Sequence, residues 1–358
     1  MTGEMLHSAV TRAWAACEPG SAYDLDCFVT SEVGHNEVLS RCRRAEPGGA
    51  YVGVGPCQNF TYIGALRPST AIIVDARMDN LLEHLIFKLV FERAATPAAY
   101  LATLFAREIT CEVNTSSADL LGAFDTAEAP AELFEANRQW IRAELRDRWR
   151  CPPRFIDRAL WIYAQFHRRG LSITSVSEQH LARLDDIPDL RAVISSTAVS
   201  GHTYHFLTSQ ERYSYVRELQ LHDQVIPVLG NITDAAAIAT VNATLDRLGM
   251  LASTVYLSNM EEFLLHRYDI GPEGISSRPN PQGMLTDTWG AVYAGLVNSL
   301  ASIRADPDCL LIRFFFSGED QHFRYGDFPS LTDHIVLLRR FLGRYRTETP
   351  QSVFETYW

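Results

Sequence analysis

The chain lacks the features of secreted, membrane-spanning and nucleic-acid-binding proteins. Its seven cysteines are odd in number and form no Cys-x-x-Cys pair, which favours a reduced, cytoplasmic protein. No apolar run approaches the roughly 20 residues of a transmembrane helix, and the first residues show no signal-peptide pattern. The formal net charge of −11 argues against nonspecific phosphate binding, which needs clustered lysine and arginine. We therefore expect a cytoplasmic protein with no membrane span and no nucleic-acid partner.

Two common nucleotide-binding patterns are also missing. No Gly-x-x-x-x-Gly-Lys-Ser/Thr motif occurs, which excludes a P-loop. The third glycine of a dinucleotide fingerprint is absent after Gly53-Val-Gly55, where Phe60 and Tyr62 follow instead. This absence counts against a pyrophosphate bound at the helix N-terminus and ranks a nicotinamide-dependent dehydrogenase last among the alternatives.

The residues that are present nevertheless indicate a nucleotide site in an α/β fold. Tyr51 to Gly55 is an apolar strand that contains two glycines, and Ala71 to Asp75 is an apolar run that ends in a carboxylate. Twenty residues separate Gly55 from Asp75, the spacing at which an acidic side chain reaches ribose hydroxyls in a doubly wound fold. S-adenosylmethionine fits this pattern because it carries an adenosine and a sulfonium but no phosphate. A glycine pair that only makes a turn is the structural alternative.

Further strands are predicted at 224–229, 252–257 and 309–316, and each ends in small or polar residues. The carboxyl ends of parallel strands share one edge of a sheet, where ligands of open α/β folds bind. We expect one such rim, formed by Gly53, Gly55, Asp75, Gly230, Asn231, Ser258 and Asn259.

Two sequence blocks resemble a group of known proteins. Gly53-Val-Gly-Pro-Cys-Gln-Asn-Phe-Thr-Tyr-Ile63 and Ile72-Ile-Val-Asp-Ala-Arg-Met-Asp-Asn-Leu-Leu82 are similar to uncharacterised bacterial proteins described as class I methyltransferase-like. Thr254 to Met260 resembles the fourth-strand motif of that family, and Gly230-Asn231 its third-strand end. The resemblance implies a Rossmann-like S-adenosylmethionine domain, with cofactor contacts expected from Gly53, Gly55, Gln58, Asn59, Asp75, Arg77, Gly230, Asn231 and Ser258.

A second, shorter resemblance concerns the reaction. Asp75 with residues 80–88 and 99–105 is similar to a strand and helices of betaine-lipid aminocarboxypropyl transferases. Those proteins cleave a different carbon–sulfur bond of the same cofactor and transfer its amino-acid arm. This resemblance implies 3-amino-3-carboxypropyl transfer, or intramolecular cyclisation of the cofactor, as an alternative to methyl transfer.

The chain between residues 81 and 200 has a helical pattern, in which Pro152-Pro153 separates two helices. We predict an α/β protein with a Rossmann-like class I methyltransferase sheet and a helical insertion after the second strand. The expected divisions are an N-terminal cap at 1–50, a cofactor domain at 51–80 and 201–358, and an inserted lid or substrate wall at 81–200.

Polar groups near the expected rim are the catalytic candidates: Glu32, Tyr62, Asn259 and Glu261. Displacement at a sulfonium carbon needs alignment, and it needs a base only when the nucleophile carries a proton. Glu261, or its neighbour Glu262, is a candidate base or substrate ligand; the alternative is a carboxylate that merely stabilises a helix N-terminus. Asn259 is a candidate contact for the methionine arm or the substrate.

The remaining candidates each have a structural alternative. Tyr62 and Tyr256 offer a ring face or hydroxyl, or are core residues. Glu32 and Asn36 belong to a lead-in segment expected to close over the cofactor, or to a surface loop. Arg77 binds a carboxylate bidentately, or pairs with Asp79 or a neighbouring helix.

Other polar clusters carry less weight. His202 and His205 are three residues apart, but no third ligand stands nearby, so we expect no metal site. The stretch Ser317 to Asp320 and Asp327 line a pocket or form the turn of a hairpin, and the hairpin is favoured. The cysteines are expected to be buried small hydrophobes.

We predict an S-adenosylmethionine-dependent methyltransferase that acts on a small molecule. The rival of another class is a noncatalytic interaction protein with a degenerate cofactor pocket. No motif identifies the acceptor. The sequence is compatible with a homodimer but does not specify the oligomeric state.

Overall fold

The computed structural model describes residues 2–16, 27–30, 32–42, 48–112, 115–175, 188–261, 268–271, 274–279, 287–314 and 333–345. Glu262 and the stretch from Ser317 to Asp327 lie outside these residues, so the roles expected of them are left as predictions.

The centre of the fold is a mixed, mostly parallel sheet in an α/β arrangement. Its six strands are β1 (Ala50–Val54), β2 (Thr70–Asp75), β3 (Val225–Leu229), β4 (Ala252–Tyr256), β7 (Ala305–Phe314) and β8 (Asp333–Leu337). Their order across the sheet is β3-β2-β1-β4-β7-β8. All neighbours are parallel except β7 and β8, which are antiparallel. A separate antiparallel pair is formed by β5 (Tyr268–Gly271) and β6 (Gly274–Pro279).

Thirteen α-helices surround the strands in the described part of the chain. They are α1 (Thr2–Ala16), α2 (His35–Arg41), α3 (Gln58–Leu66), α4 (Met78–Arg93), α5 (Pro97–Phe105), α6 (Ser117–Thr126), α7 (Ala131–Asp147), α8 (Pro153–Arg169), α9 (Leu190–Ser195), α10 (Gln210–Leu221), α11 (Ala235–Leu248), α12 (Asp287–Ser302) and α13 (Leu338–Tyr345). Short 3-10 turns cover Gly170–Ser172 and Phe206–Thr208. Among the helices described, none is long and apolar enough to cross a membrane.

Helices cover both faces of the sheet, which explains why its central strands are apolar on both sides. Along β1, Tyr51 packs into one hydrophobic cluster, while Val52 and Val54 pack into another on the opposite face. This alternation follows from the two-residue period of a strand. The edge strand β3 is packed against α1, so its exposed edge is partly covered.

Between β2 and β3, the regular elements that the structure describes are helices joined by loops, apart from one isolated bridge between Thr174 and Asp189. The first of these helices, α4, runs through position 81 and is buried over most of its length. It packs against α5, α8, α10 and β3. The polar residues near its N-terminus are therefore held inside the molecule, next to the end of β2.

Candidate functional site

The strand register brings the predicted rim together at one edge of the sheet. Gly53 pairs with Tyr256 on β4, Val54 with Val74 on β2, and Asp75 with Leu229 on β3. The chain order across the sheet reverses between β1 and β4, because β2 and β3 lie on one side of β1 while β4 and β7 lie on the other. Ligands of open α/β sheets bind beyond the carboxyl ends of the strands at such a reversal.

The loop after β1 is shaped by Asn59 on α3. Its side-chain Nδ2 donates to the carbonyls of Val54, Gly55 and Pro56 at 3.0, 3.0 and 2.7 Å. Its Oδ1 accepts a hydrogen bond from the Tyr51 hydroxyl at 2.9 Å. The Asn59 side chain is fully buried. Its amide N–H groups are used by the loop carbonyls, and its amide oxygen is used by Tyr51 on β1. Asn59 therefore positions the glycine loop.

Both glycines of the loop have a structural reason. A Cβ on Gly53 would overlap Asn59 Oδ1 and lie 2.5 Å from the ring of Tyr51. Gly55 has a φ of +81°, which favours glycine, and the space beside it is open. Close packing thus explains Gly53 and the turn explains Gly55, so the two glycines alone are not evidence for a cofactor.

The carboxylate of Asp75 is held by Arg77. Asp75 accepts three hydrogen bonds from this residue: from the backbone N–H and Nε at 2.9 Å each, and from Nη2 at 2.7 Å. The alternative pairing of Arg77 with Asp79 is wrong, because Asp79 instead accepts hydrogen bonds from Arg158 on α8. The side chains of Asp75 and Arg77 are mostly buried, so the pair is an internal feature of the rim.

Glu32 lies at the end of β4, where the chain order reverses. The Tyr256 hydroxyl donates to Glu32 Oε2 at 2.5 Å, and the Ser258 hydroxyl donates to Oε1. No cation of the described residues pairs with this carboxyl, which is only 1% exposed. Burial raises the pKa of Glu32 to about 7, although both hydroxyl hydrogen bonds act in the opposite direction. A carboxyl with this pKa is suited to proton transfer at neutral pH.

Ser258 bonds Glu32 directly, and Tyr62 packs against Tyr256, the other residue that bonds it. Ser258 has a φ of +55°, an uncommon backbone conformation for a residue with a side chain, and such strain is found at functional sites. The ring of Tyr62 packs against that of Tyr256, with centroids 4.8 Å apart. Tyr62 therefore contacts the residue that holds Glu32, and both tyrosines are buried.

The lead-in segment is buried here, so the surface-loop alternative is wrong. Asn36 is fully buried, donates to the carbonyl and hydroxyl of Ser196, and accepts from the backbone N–H of Tyr204 at 2.6 Å. This residue fastens the segment to the chain that precedes α10. It thereby fixes the backbone that carries Glu32.

Several buried polar atoms beside the glycine loop have no hydrogen-bond partner. Both side-chain atoms of the Gln58 amide are unpaired, as are Glu83 Oε2 and His84 Nδ1. The other ring nitrogen of His84 lies 3.0 Å from the Gly55 carbonyl, so it acts as the donor and leaves Nδ1 as an acceptor. Burial lowers the pKa of His84 to about 4, which keeps the ring neutral. Leaving a buried polar atom unpaired is costly, so each of these atoms is a candidate to bond water or a ligand.

Glu83 and His84 are not among the site residues predicted from the sequence. The apolar pattern of α4 is interrupted at four positions, by Asn80, Glu83, His84 and Lys88. All four side chains are buried, so these interruptions were the available signal.

The end of β3 joins the same rim. The backbone N–H of Gly230 donates to the Asp75 carbonyl at 2.8 Å. A Cβ on Gly230 would lie 2.8 Å from that of Ala237, so close packing on α11 requires glycine. Asn231 turns the chain by accepting the Thr233 N–H on its side chain at 3.0 Å.

Asn259 and Glu261 follow β4 but differ in their surroundings. Asn259 is partly exposed, and its Oδ1 lies within 3.3 Å of the Ser258 hydroxyl. Glu261 is fully buried, accepts two hydrogen bonds from the Arg313 guanidinium, and accepts the Tyr293 hydroxyl at 3.0 Å. Since this carboxylate is neutralised by a buried cation, we assign Glu261 a structural role in joining the chain after β4 to β7 and α12.

Other features lie apart from this rim. Within the described ranges, no group of three or more His, Cys, Asp or Glu could hold a metal ion. His205 instead accepts the Leu207 N–H and lies beside His35, with ring centroids 6.0 Å apart. An open groove of about 700 Å³ runs along α1, between Gly3 and Ala15, and none of the rim residues lines it.

One protein-family model matches the chain. It covers residues 28–273 and is described as Domain of unknown function (DUF7790). The chain belongs to this family. The DUF7790 match includes Glu32, the glycine loop, Asp75, Glu83 and the ends of β3 and β4, and it stops before Arg313. No curated protein matches the sequence.

Proposed function

We propose that this DUF7790 protein is an S-adenosylmethionine-dependent transferase that binds its cofactor between the ends of β1, β2 and β4. The observation that supports this proposal most is the set of unpaired buried polar atoms on Gln58, Glu83 and His84, next to the glycine loop and Asp75. Buried polar atoms of this kind need a partner that the chain itself does not provide. They lie at the edge where a doubly wound sheet receives its ligand.

The sheet supports the same proposal. The strand order β3-β2-β1-β4 with β7 in the fifth position, and the antiparallel β8 at the edge, support a Rossmann-like doubly wound sheet. We propose that this sheet is of the class I methyltransferase type. The two sequence blocks that resemble class I methyltransferase-like proteins, 53–63 and 72–82, include the glycine loop and the end of β2.

The residues at the rim fit the proposed cofactor. Asp75 would hold ribose hydroxyls, and the Gln58 amide offers donors and an acceptor beside the loop. No phosphate site is needed, which agrees with the missing third glycine. When bound, S-adenosylmethionine supplies an electrophilic carbon attached to a positively charged sulfur.

Glu32 is the proposed general base. Its carboxyl is held by Tyr256 and Ser258, so its orientation is fixed before any substrate binds. With a pKa of about 7, the carboxyl of Glu32 can both accept and release a proton near neutral pH. Glu32 would accept the proton of an acceptor hydroxyl, amine or thiol. The acceptor is proposed to be a small molecule.

Methyl transfer is the leading reaction. The alternative is transfer or cyclisation of the 3-amino-3-carboxypropyl group, which the resemblance at 80–88 supports. A noncatalytic protein is the proposal of another class, and the engagement of Asp75 by Arg77 is the observation that favours it.

Replacing Asp75 by Asn tests the cofactor site. A ligand at a hundredfold excess over its Kd stabilises a folded protein by about 2.7 kcal/mol, and we expect S-adenosylmethionine to raise the Tm of the wild type accordingly. The Asp75→Asn variant should lose most of this rise because the ribose acceptor is weakened. Asp147→Asn is the matched control, since Asp147 also accepts two hydrogen bonds from one guanidinium, that of Arg146, on an exposed surface. An equal rise in wild type and Asp75→Asn would contradict the proposed site.

A further inference from the structure

The first two turns of α4 carry three polar side chains on the side of the helix that meets the glycine loop. Asn80, Glu83 and His84 are three and four residues apart, so they are neighbours on one face of α4. His84 fixes the direction of this face, because its Nε2 lies 3.0 Å from the Gly55 carbonyl and its ring packs edge-on against Phe60. The three side chains are at most 2% exposed, so they form a buried polar lining beside the loop.

The unpaired atoms of this polar lining, together with those of Gln58, divide into acceptors and donors. Within the part of the chain that the structure describes, Glu83 Oε2, His84 Nδ1 and Gln58 Oε1 are acceptors without a hydrogen bond. Asn80 Nδ2 and Gln58 Nε2 are donors without one. Gln58 is the first residue of α3 and is 2% exposed, so its amide follows the loop directly. A ligand that satisfies these atoms needs several N–H groups and an acceptor.

The glycine loop leaves space for such a ligand. A Cβ on Gly53 would overlap Asn59, but no atom lies within 4 Å of the position that a Cβ on Gly55 would take. Gly55 is also partly exposed, in contrast to the buried residues of β1 that precede it. The open side of Gly55 therefore connects the loop with solvent.

The strand order decides which end of the proposed cofactor reaches the polar lining. Asp75 ends β2, Glu32 lies at the end of β4, and β1 with its glycine loop lies between them. In S-adenosylmethionine, adenine and the sulfur are attached to opposite ends of the ribose, and the amino-acid arm continues from the sulfur. A ribose at Asp75 and a reacting sulfonium near Glu32 place this arm beside the loop after β1. Adenine then extends towards β3.

We infer that the polar lining and Gln58 bind the α-ammonium and α-carboxylate groups of the cofactor's amino-acid arm. The inference rests on the proposed function, since it concerns the same site. An ammonium carries three N–H donors and a positive charge, which match the Glu83 carboxyl, the His84 Nδ1 and the Gln58 oxygen. The carboxylate accepts hydrogen bonds from Asn80 Nδ2 and Gln58 Nε2. These side chains make the zwitterionic arm a requirement for tight binding.

Two nucleosides separate the arm from the rest of the cofactor. S-adenosylhomocysteine and methylthioadenosine share the adenosine and a thioether, but only the first carries the amino-acid arm. Calorimetric titration at pH 7 should show that the wild type binds S-adenosylhomocysteine roughly 100-fold more tightly, because hydrogen bonds to charged groups are strong. Glu83→Gln keeps the shape of the side chain but removes its charge. It should weaken S-adenosylhomocysteine roughly tenfold and leave methylthioadenosine unchanged.

Asn80→Leu gives a second test that does not depend on Glu83. The substitution removes a buried donor that has no partner in the ligand-free protein, so the variant should fold with a Tm no lower than that of the wild type. It should nevertheless bind S-adenosylhomocysteine more weakly, with methylthioadenosine again unchanged. Glu92→Gln is the matched control, because Glu92 lies on the same helix and pairs with Lys88 and Arg148. It should leave both affinities unchanged.

The outcomes distinguish this subsite from the cofactor site itself. Equal affinity of the wild type for the two nucleosides would overturn the subsite while the cofactor site stands. An unchanged ratio of the two affinities in both Glu83→Gln and Asn80→Leu would do the same. Failure of the wild type to bind either nucleoside would overturn both proposals.

Discussion

Replacing Glu32 by Gln should lower kcat by about 100- to 10,000-fold, the range that loss of a general base produces. The amide keeps the shape of the side chain but cannot accept a proton from the acceptor. Steady-state kinetics with any acceptor that the protein methylates would measure the loss. Glu37→Gln is the control, since this carboxylate on α2 is bonded to Arg41 and to the Val199 N–H away from the rim.

The pH dependence separates a base from a merely structural carboxyl. Wild-type kcat should rise with pH through about 7, where Glu32 ionises, and then level off. Tyr256→Phe removes a hydrogen bond that lowers the pKa of Glu32, so the midpoint should move to higher pH. An unchanged midpoint in this variant, or full activity of Glu32→Gln, would exclude Glu32 as the base.

The free energy of unfolding should also depend on the ionisation of Glu32, and it should fall as the pH rises. The folded-state pKa of Glu32 is about 7 and the unfolded value is about 4.5, so folding favours the protonated form. The stabilising contribution is complete below pH 4.5 and is lost as the pH rises through 7. The loss amounts to about 3 kcal/mol, and Glu32→Gln should lack it.

Breaking the ion pair of Glu261 and Arg313 should reduce the free energy of unfolding by about 3–5 kcal/mol. Both side chains are almost completely buried, so Glu261→Gln removes the carboxylate that balances the Arg313 charge in the core. Urea unfolding of the variant measures this loss. The double variant Glu261→Leu with Arg313→Met should recover most of the stability, because an apolar pair has no charge to desolvate.

An exposed pair provides the comparison. Glu135 and Arg138 on α7 form an ion pair with side chains that are 52% and 35% exposed. Glu135→Gln should change stability by less than about 1 kcal/mol, as exposed pairs usually do. If Glu261→Gln also changed the free energy of unfolding by less than about 1 kcal/mol, the structural role assigned to the buried pair would be wrong.

Much of the sheet could be predicted from local sequence. The apolar runs at 71–75, 224–229 and 252–257 correspond to β2, β3 and β4. They could be recognised because buried parallel strands are apolar on both faces. β7 was predicted to begin at 309, but it begins at Ala305. Its first residues include the exposed Asp306 and Asp308, so an apolar pattern could not reveal them.

The partners of the site residues could not be predicted. Glu32 meets Tyr256 across 224 positions of sequence, and Glu261 meets Arg313 across 52. Local patterns identify helices and strands, but they do not specify which side chains meet between distant segments. The roles of Asp75, Gln58 and Glu32 toward a cofactor are still predictions, whereas the contacts that surround them are observed.

Analysis of the nucleoside product is the most direct test of the central claim. Purified protein is incubated with S-adenosylmethionine, without and then with a metabolite extract, and the nucleosides are identified by mass spectrometry. We expect S-adenosylhomocysteine to form only with extract, as methyl transfer requires. Methylthioadenosine above spontaneous breakdown would replace methyl transfer by aminocarboxypropyl chemistry. Neither product forming above the level of the heat-inactivated protein would contradict a transferase that uses this cofactor.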